Sequence, residues 1–157
     1  MVPEQDERVA RLRTPEDCEL FAINMEKRGQ LDLARAARRR AVELRALAHN
    51  PGSAAEREAL EAVYAYERVL SQGAGKKIRA SRTWQMIKRR GLIPAVESVV
   101  TRPLEARGYI ALVQMGMEAM AFEAVVLRHS TVFSSEAVEK SRTRLETLKS
   151  HQSKQSS

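Results

Sequence analysis

The sequence predicts an all-α protein, a compact multi-helix bundle built around a central apolar helix at about 109–128. Three observations lead there. Ala, Leu, Glu and Arg are abundant while aromatics make up only 4% of 157 residues, a composition that favours helix over a β-sandwich or barrel. Apolar residues recur at i, i+3, i+4 and i+7 in one segment after another, each bounded by capping and breaking residues. Finally, only Gln114, Gly116, Glu118 and Glu123 interrupt an apolar run from Tyr109 to Leu127. A segment apolar on nearly all sides cannot face water, so it reads as a buried helix against which amphipathic neighbours pack.

The expected organisation is a flexible arm over 1–13, one helical domain over 14–148 and a disordered polar tail over 149–157. Cys18 is the only cysteine, which excludes an intrachain disulfide and a thiolate zinc cluster. The first residues lack the apolar core of a signal peptide, and Glu118 and Glu123 make the 109–127 run costly to insert in a bilayer. The expectation is a cytoplasmic chain with no membrane span.

Taken in order, Val9, Ala10 and Leu12 allow at most a short helix in the arm. Thr14-Pro15-Glu16-Asp17 is a helix start, with a side chain that can cap, proline in the first turn and acids beside the positive helix end. Cys18, Phe21, Ala22 and Met25 then share one face, and Lys27-Arg28-Gly29 closes the helix. A second helix over 31–48 has a stripe of Leu33, Ala37, Ala41, Leu44 and Ala48, with Arg35, Arg38 and Arg39 on the other side. Arg40 lies at the stripe's edge, where it snorkels or pairs with an acid. After the turn Asn50-Pro51-Gly52, Ser53 and Glu56 form a capping box for a third helix reaching about Ser71. These three helices are expected to form a small bundle. Tyr64 points off the third helix's core face, towards a neighbouring helix or a stacked base.

The basic stretch comes next. The formal charge is +7, and it divides as −2 over 1–67, +8 over 68–96 and +1 over 97–157, with no acidic residue between Arg68 and Val96. Such localisation suits a phosphate-facing surface. Gly75-Lys76 resembles a phosphate loop only in passing, because no glycine stands five residues earlier and Lys77 replaces the Ser or Thr of the motif. A flexible basic loop with Lys76, Lys77 and Arg79 should lead into a short helix capped by Ser81 and closed by Gly91. In that helix Trp84 and Ile87 form the core side, while Arg82, Gln85 and Arg89 gather opposite, with Lys88 and Arg90 flanking. Arginine and glutamine make bidentate contacts to bases and phosphates. Arg79, Ser81, Arg82 and Thr83 cluster at the helix start, where backbone N–H groups favour anions. A solvated basic face without a ligand is the rival reading, and the α-helical arginines 35–39 are a secondary candidate.

Beyond it, Leu92-Ile93-Pro94 opens a short helix, Thr101-Arg102-Pro103 turns the chain and Gly108 breaks it before the central run. Ser134 or Ser135 caps a last helix with an apolar seam of Val138, Leu145 and Leu148. His49, His129 and His151 form no ligand pair, and Glu118 and Glu123 lack the Glu-x-x-His partners of a di-iron bundle, so no metal or cofactor is called for. Glu136, Glu139 and Lys140 make only a loose nuclease-like grouping.

The segments Thr14-Pro-Glu-Asp-Cys-Glu-Leu-Phe-Ala, Ala36-Ala-Arg-Arg-Arg-Ala-Val-Glu-Leu-Arg-Ala and Arg79-Ala-Ser-Arg-Thr-Trp-Gln-Met-Ile-Lys-Arg-Arg-Gly resemble a family of uncharacterised bacterial helical proteins, some of which stand beside or within HNH-type endonucleases and other DNA-modifying systems. The resemblance implies a DNA-binding accessory domain and assigns no residue; the paired histidines of an HNH module are missing here. The sequence therefore predicts a non-catalytic protein that binds duplex DNA, nucleoid-associated in that role, through Lys76, Lys77, Arg79, Ser81, Arg82, Thr83, Gln85, Lys88, Arg89 and Arg90. The alternative is a helical interaction module that meets an acidic protein partner, or a homodimer joined through the 138–148 seam.

Overall fold

The computed structural model describes residues 6–103 and 106–156, and among them every regular element is helical. The chain divides into two compact units, Met1–Asn50 and Pro51–Ser157. No helix among the described residues is long and apolar enough to cross a membrane.

The first unit contains α1 (Glu7–Ala10), α2 (Pro15–Lys27) and α3 (Leu31–Leu47). Thr14 caps α2 through its side chain, which accepts the Asp17 N–H at 3.1 Å, as the sequence predicts. The helix ends in a Schellman motif: the Gly29 N–H donates to Glu26 and the Gln30 N–H to Met25, with Gly29 left-handed at φ 74°. Helix α3 then returns along α2, with Ala22 and Met25 buried against Ala34 and Ala37, and Cys18 is buried on the same helix as Ala22 and Met25. Small side chains at the seam let the two backbones approach closely. The buried residues of α3 are Ala34, Ala37, Ala41, Val42 and Ala46, whereas Leu33 and Leu44 are half-buried and Ala48 is exposed. The expected stripe is thus rotated towards the alanines.

The expected arm is ordered from Asp6 onwards; residues 1–5 lie outside the described residues. Val9 is fully buried, and Arg40 donates through Nε and Nη2 to the Leu12 carbonyl at 3.3 Å. Arg40 therefore does not snorkel, and among the described residues it pairs with no acid. It satisfies carbonyls left open where α1 ends, which ties this segment down.

The second unit runs through α4 (Ala54–Ala74), α5 (Ser81–Arg90), α6 (Leu92–Thr101), α7 (Ala106–Gln114), a 3₁₀ turn (Glu118–Met120), α8 (Phe122–Arg128) and α9 (Ser135–Ser156). Helix α4, expected to complete a bundle with the two helices before it, packs on α6, α7 and α8 of this unit. Its capping box forms with a shift: Ser53 Oγ accepts the Glu56 N–H at 3.1 Å, and Glu56 reaches the Gly52 N–H at 2.7 Å instead of its own cap residue.

The central apolar run is not one helix. Its first half is α7, which begins before Gly108 and takes that glycine into its first turn. Gly116 then adopts φ 70°, its N–H donates to Val113, and the Met117 N–H reaches back to Leu112 at 2.8 Å. This is a second Schellman motif, and it buries Met117 while leaving Glu118 and Ala119 exposed. Only after the 3₁₀ turn does α8 begin, and its Phe122, Val125 and Val126 form the core with Val63, Val96 and Val100.

Ser134 caps α9 by accepting the Ala137 N–H, and its own N–H donates to Glu97 at 2.6 Å. Of the expected last-helix seam, Leu145 and Leu148 are buried and Val138 is half-buried against the core cluster, so the seam is largely filled from within the chain. The helix continues to Ser156, through the segment expected to be disordered. An arginine on α9 completes the unit. Arg144 Nη1 donates to the carbonyls of Val99, Val100 and Arg102, closing the end of α6, and Arg144 Nε faces Glu123 at 3.2 Å.

Candidate nucleic-acid interface

The loop between α4 and α5 begins where Gly75 turns left-handed, at φ 69°. Two side chains of α4 then fix its path. Ser71 Oγ accepts the Ile78 N–H at 2.8 Å and donates to the Ile78 carbonyl at 3.2 Å. One turn earlier, Glu67 Oε2 accepts the Ala80 N–H at 2.8 Å and the Trp84 indole N–H at 2.7 Å. The expectation of a flexible loop is therefore corrected: it is pinned at 78 and 80, and only the stretch around Lys76 and Lys77 projects with both side chains exposed.

Glu67 is the functional-site residue that the sequence reading missed. It lies just outside the acid-free stretch, and it orients the basic helix instead of opposing it. The half-buried indole of Trp84 packs on the core cluster, and Tyr64 meets it with ring centroids 5.2 Å apart. Tyr64 thus meets a neighbouring helix, one of the two roles foreseen for it. The Arg79 guanidinium sits 5.7 Å from the Trp84 ring centre and 3.8 Å from Glu67, so its charge is partly engaged within the protein.

Helix α5 separates its faces as its sequence predicts. Trp84 and Ile87 are half-buried, while Arg82, Gln85, Lys88, Arg89 and Arg90 are exposed. Arg82, Gln85 and Arg89 follow i, i+3, i+7 spacing, which places them along one stripe about 10 Å long at 1.5 Å per residue. Two of the predicted residues fall elsewhere. Thr83 is buried, 4% exposed, and turns inward. Ser81 is exposed but is the first helical residue; the cap position belongs to Ala80, whose side chain cannot cap. The α5 N-terminus consequently lacks the Ser81 cap foreseen for it.

The surface cations of the site differ from several arginines of α3. Among the described residues, none of Lys76, Lys77, Arg82, Lys88, Arg89 and Arg90 lies within ion-pair distance of a carboxylate. On α3, by contrast, Arg38 pairs with Glu26 at 2.6 Å, Arg45 with Glu19 at 3.6 Å and Arg35 with Asp32 at 3.9 Å, while Arg39 is likewise engaged. Arg38 holds the Glu26 carboxyl below its ordinary pKa, through a hydrogen bond first and its charge second. Arg35 and Arg38 of the run 35–39 are thus ion-paired.

Other groups with chemical potential are also accounted for. Glu58 binds Arg128 at 2.6 Å and His129 at 2.7 Å, joining α4 to the end of α8. Glu139 pairs with Arg142, and Glu123 with Arg144. Among the described residues no three His, Cys, Asp or Glu side chains gather as a metal ion would need. Burial pushes the Cys18 thiol above its ordinary pKa, the opposite of what a nucleophile requires.

Behind α5 the second unit holds a cavity of about 490 Å³. Thr83 lines it, together with residues of α4, α6, α7, α8 and α9, among them Val69, Leu112, Phe122 and Leu148. No sequence pattern announced it.

No family model matches the chain, and neither a curated protein nor a solved structure matches it.

Proposed function

We propose that this chain is a non-catalytic, helical DNA-binding protein that lays α5 and the loop before it against duplex DNA, working in the cytoplasm at the nucleoid. The observation that supports this reading is the contrast between surfaces. The α5 cations are exposed and unpaired among the described residues, in a stretch without acids, whereas Arg35, Arg38 and Arg45 of α3 are paired with carboxylates. A ten-residue helix is about 15 Å long and suits a major groove about 12 Å wide. In this reading Lys76, Lys77, Arg82, Lys88, Arg89 and Arg90 neutralise phosphates, and Arg82, Gln85 and Arg89 are the residues best placed to reach base edges as well. Arg79 supports the site from behind, and Thr83 and Ser81 have no direct contact. The loop of residues 75–80 is too long for a standard helix-turn-helix, so the arrangement shares only the principle of a presented helix.

The test is fluorescence anisotropy of labelled duplex DNA at several salt concentrations. A log–log slope of about −3.6 or steeper, equivalent to roughly four phosphate contacts, is the expected result. Scrambled duplex and matching RNA as competitors then show whether bases are read. No binding at low salt would overturn the proposal and turn the same face towards an acidic protein partner.

A further inference from the structure

The cavity of about 490 Å³ falls within the range of small-molecule sites, roughly 300–1,000 Å³. Its wall is largely apolar, with Ala62, Val69, Leu112, Met120, Phe122 and Leu148, and such a wall offers water few partners. Its charged groups converge near the end of α6, since Arg144 reaches the carbonyl of Arg102 at 2.9 Å and faces Glu123 at 3.2 Å. Glu123 and Arg144 cancel one another, and the remaining hydrogen-bonding capacity of Arg144 Nη1 is taken by the carbonyls of α6. Tyr109 also lines the wall. Burial, with the carboxylates of Glu118 and Glu123 nearby, pushes its phenol above the ordinary value, so it stands there as a neutral hydroxyl donor.

Arg102 is different. It lines the cavity and is exposed, which places it at the mouth, and it has no carboxylate within ion-pair distance among the described residues. The described wall therefore carries one uncompensated positive charge at the entrance to an apolar interior. We propose that the cavity is a binding site for an amphiphilic monoanion, an aromatic or aliphatic acid whose apolar body fills the interior and whose carboxylate or sulfonate meets Arg102. This goes beyond the DNA-binding reading and does not depend on it.

Two fluorescent probes differing by one charge test the proposal on the full chain: 1-anilinonaphthalene-8-sulfonate and its uncharged parent N-phenyl-1-naphthylamine. The expected result is one probe per chain, with the sulfonate bound about three- to fivefold more tightly, as the strength of a partly exposed ion pair allows. Arg102→Gln should abolish that preference, and Val69→Trp, which grows a side chain into the space, should abolish both sites. Equal or tighter binding of the neutral probe would overturn the charge assignment, and sulfonate binding unchanged in Val69→Trp would overturn the site itself. Should Val69→Trp fail to fold, amide shifts of the unaltered protein decide. Changes confined to residues around 109–123 support the site, and changes confined to 76–90 overturn it.

Discussion

Glu67 shows how a single side chain can decide what a basic segment does. Its Oε2 holds both the Ala80 N–H and the Trp84 indole, with Arg79 close by, so one carboxylate sets the start of α5 and the depth of its anchor. Glu67→Ala removes the acceptor that both donors share and should cost about 1–3 kcal/mol in urea unfolding, with a red shift of Trp84 emission in the native state. An unchanged emission would mean that packing alone positions the helix. A second carboxylate, Glu58, gives the fold an acid limit. Burial pushes its carboxyl up, but hydrogen bonds from His129 and Arg128 outweigh that and hold it below the ordinary 4.5. A folded pKa lower than the unfolded one contributes stability that is complete above the unfolded value and is lost as pH falls through the folded one. Glu58→Gln should therefore be less stable than the parent near neutrality, and the difference in urea midpoint should shrink as pH falls from about 5 to about 3. A difference that stays constant across that range would show that charge is not what the pair contributes.

At the scale of elements, Gly116 separates what hydropathy joined. Residues 109–127 are apolar enough for one buried helix, yet the left-handed Gly116 and the bond from Met117 to Leu112 stop α7 after Gln114. An L-residue in that conformation costs about 1–2 kcal/mol, so Gly116→Ala should lower stability by that amount in urea titrations. Gly108 provides the opposite case, because it lies inside α7 with open space where a Cβ would stand. Gly108→Ala should raise stability by roughly 0.5–1 kcal/mol. Two glycines eight residues apart thus carry opposite signs, and reversed signs would mean that the run is one helix after all. The helix class, the Thr14 and Ser134 caps and the two faces of α5 were legible because each depends on local spacing and local hydrogen bonds. The Gly29 stop was read correctly from a polar flank, Lys27-Arg28. The same motif at Gly116 was hidden because its flanks are methionines, which look like continuing core. The short helix α1 was allowed for by the sequence, but its anchorage was not legible, because Arg40 lies 28 residues from the Leu12 carbonyl it binds.

For the whole molecule, the division of charge was readable by counting, while the division between free and paired charge was not. Arg35, Arg38 and Arg39 look as basic in sequence as Arg82, Arg89 and Arg90, and Arg38 is neutralised by Glu26 from another helix. The cavity was equally invisible, because its walls come from six helices and it shows no period in any one of them. These two arginine sets give the most direct test of where nucleic acid would bind. Each phosphate contact contributes about 0.9 to the log–log salt slope, so Arg82→Ala with Arg89→Ala should flatten the slope for duplex DNA by about 2 and weaken binding most at low salt. Both side chains are exposed on α5, so the far-ultraviolet circular dichroism of the variant should match the parent. Arg35→Ala with Arg38→Ala removes the same formal charge but releases Glu26 and Asp32 as it does so. That change should leave the slope nearly intact, since no phosphate contact is lost, and should cost little stability, because both pairs are exposed and screened by solvent. Equal flattening by both variants would show that the protein responds to net charge alone, and a larger effect from the α3 pair would move the binding face to the first unit.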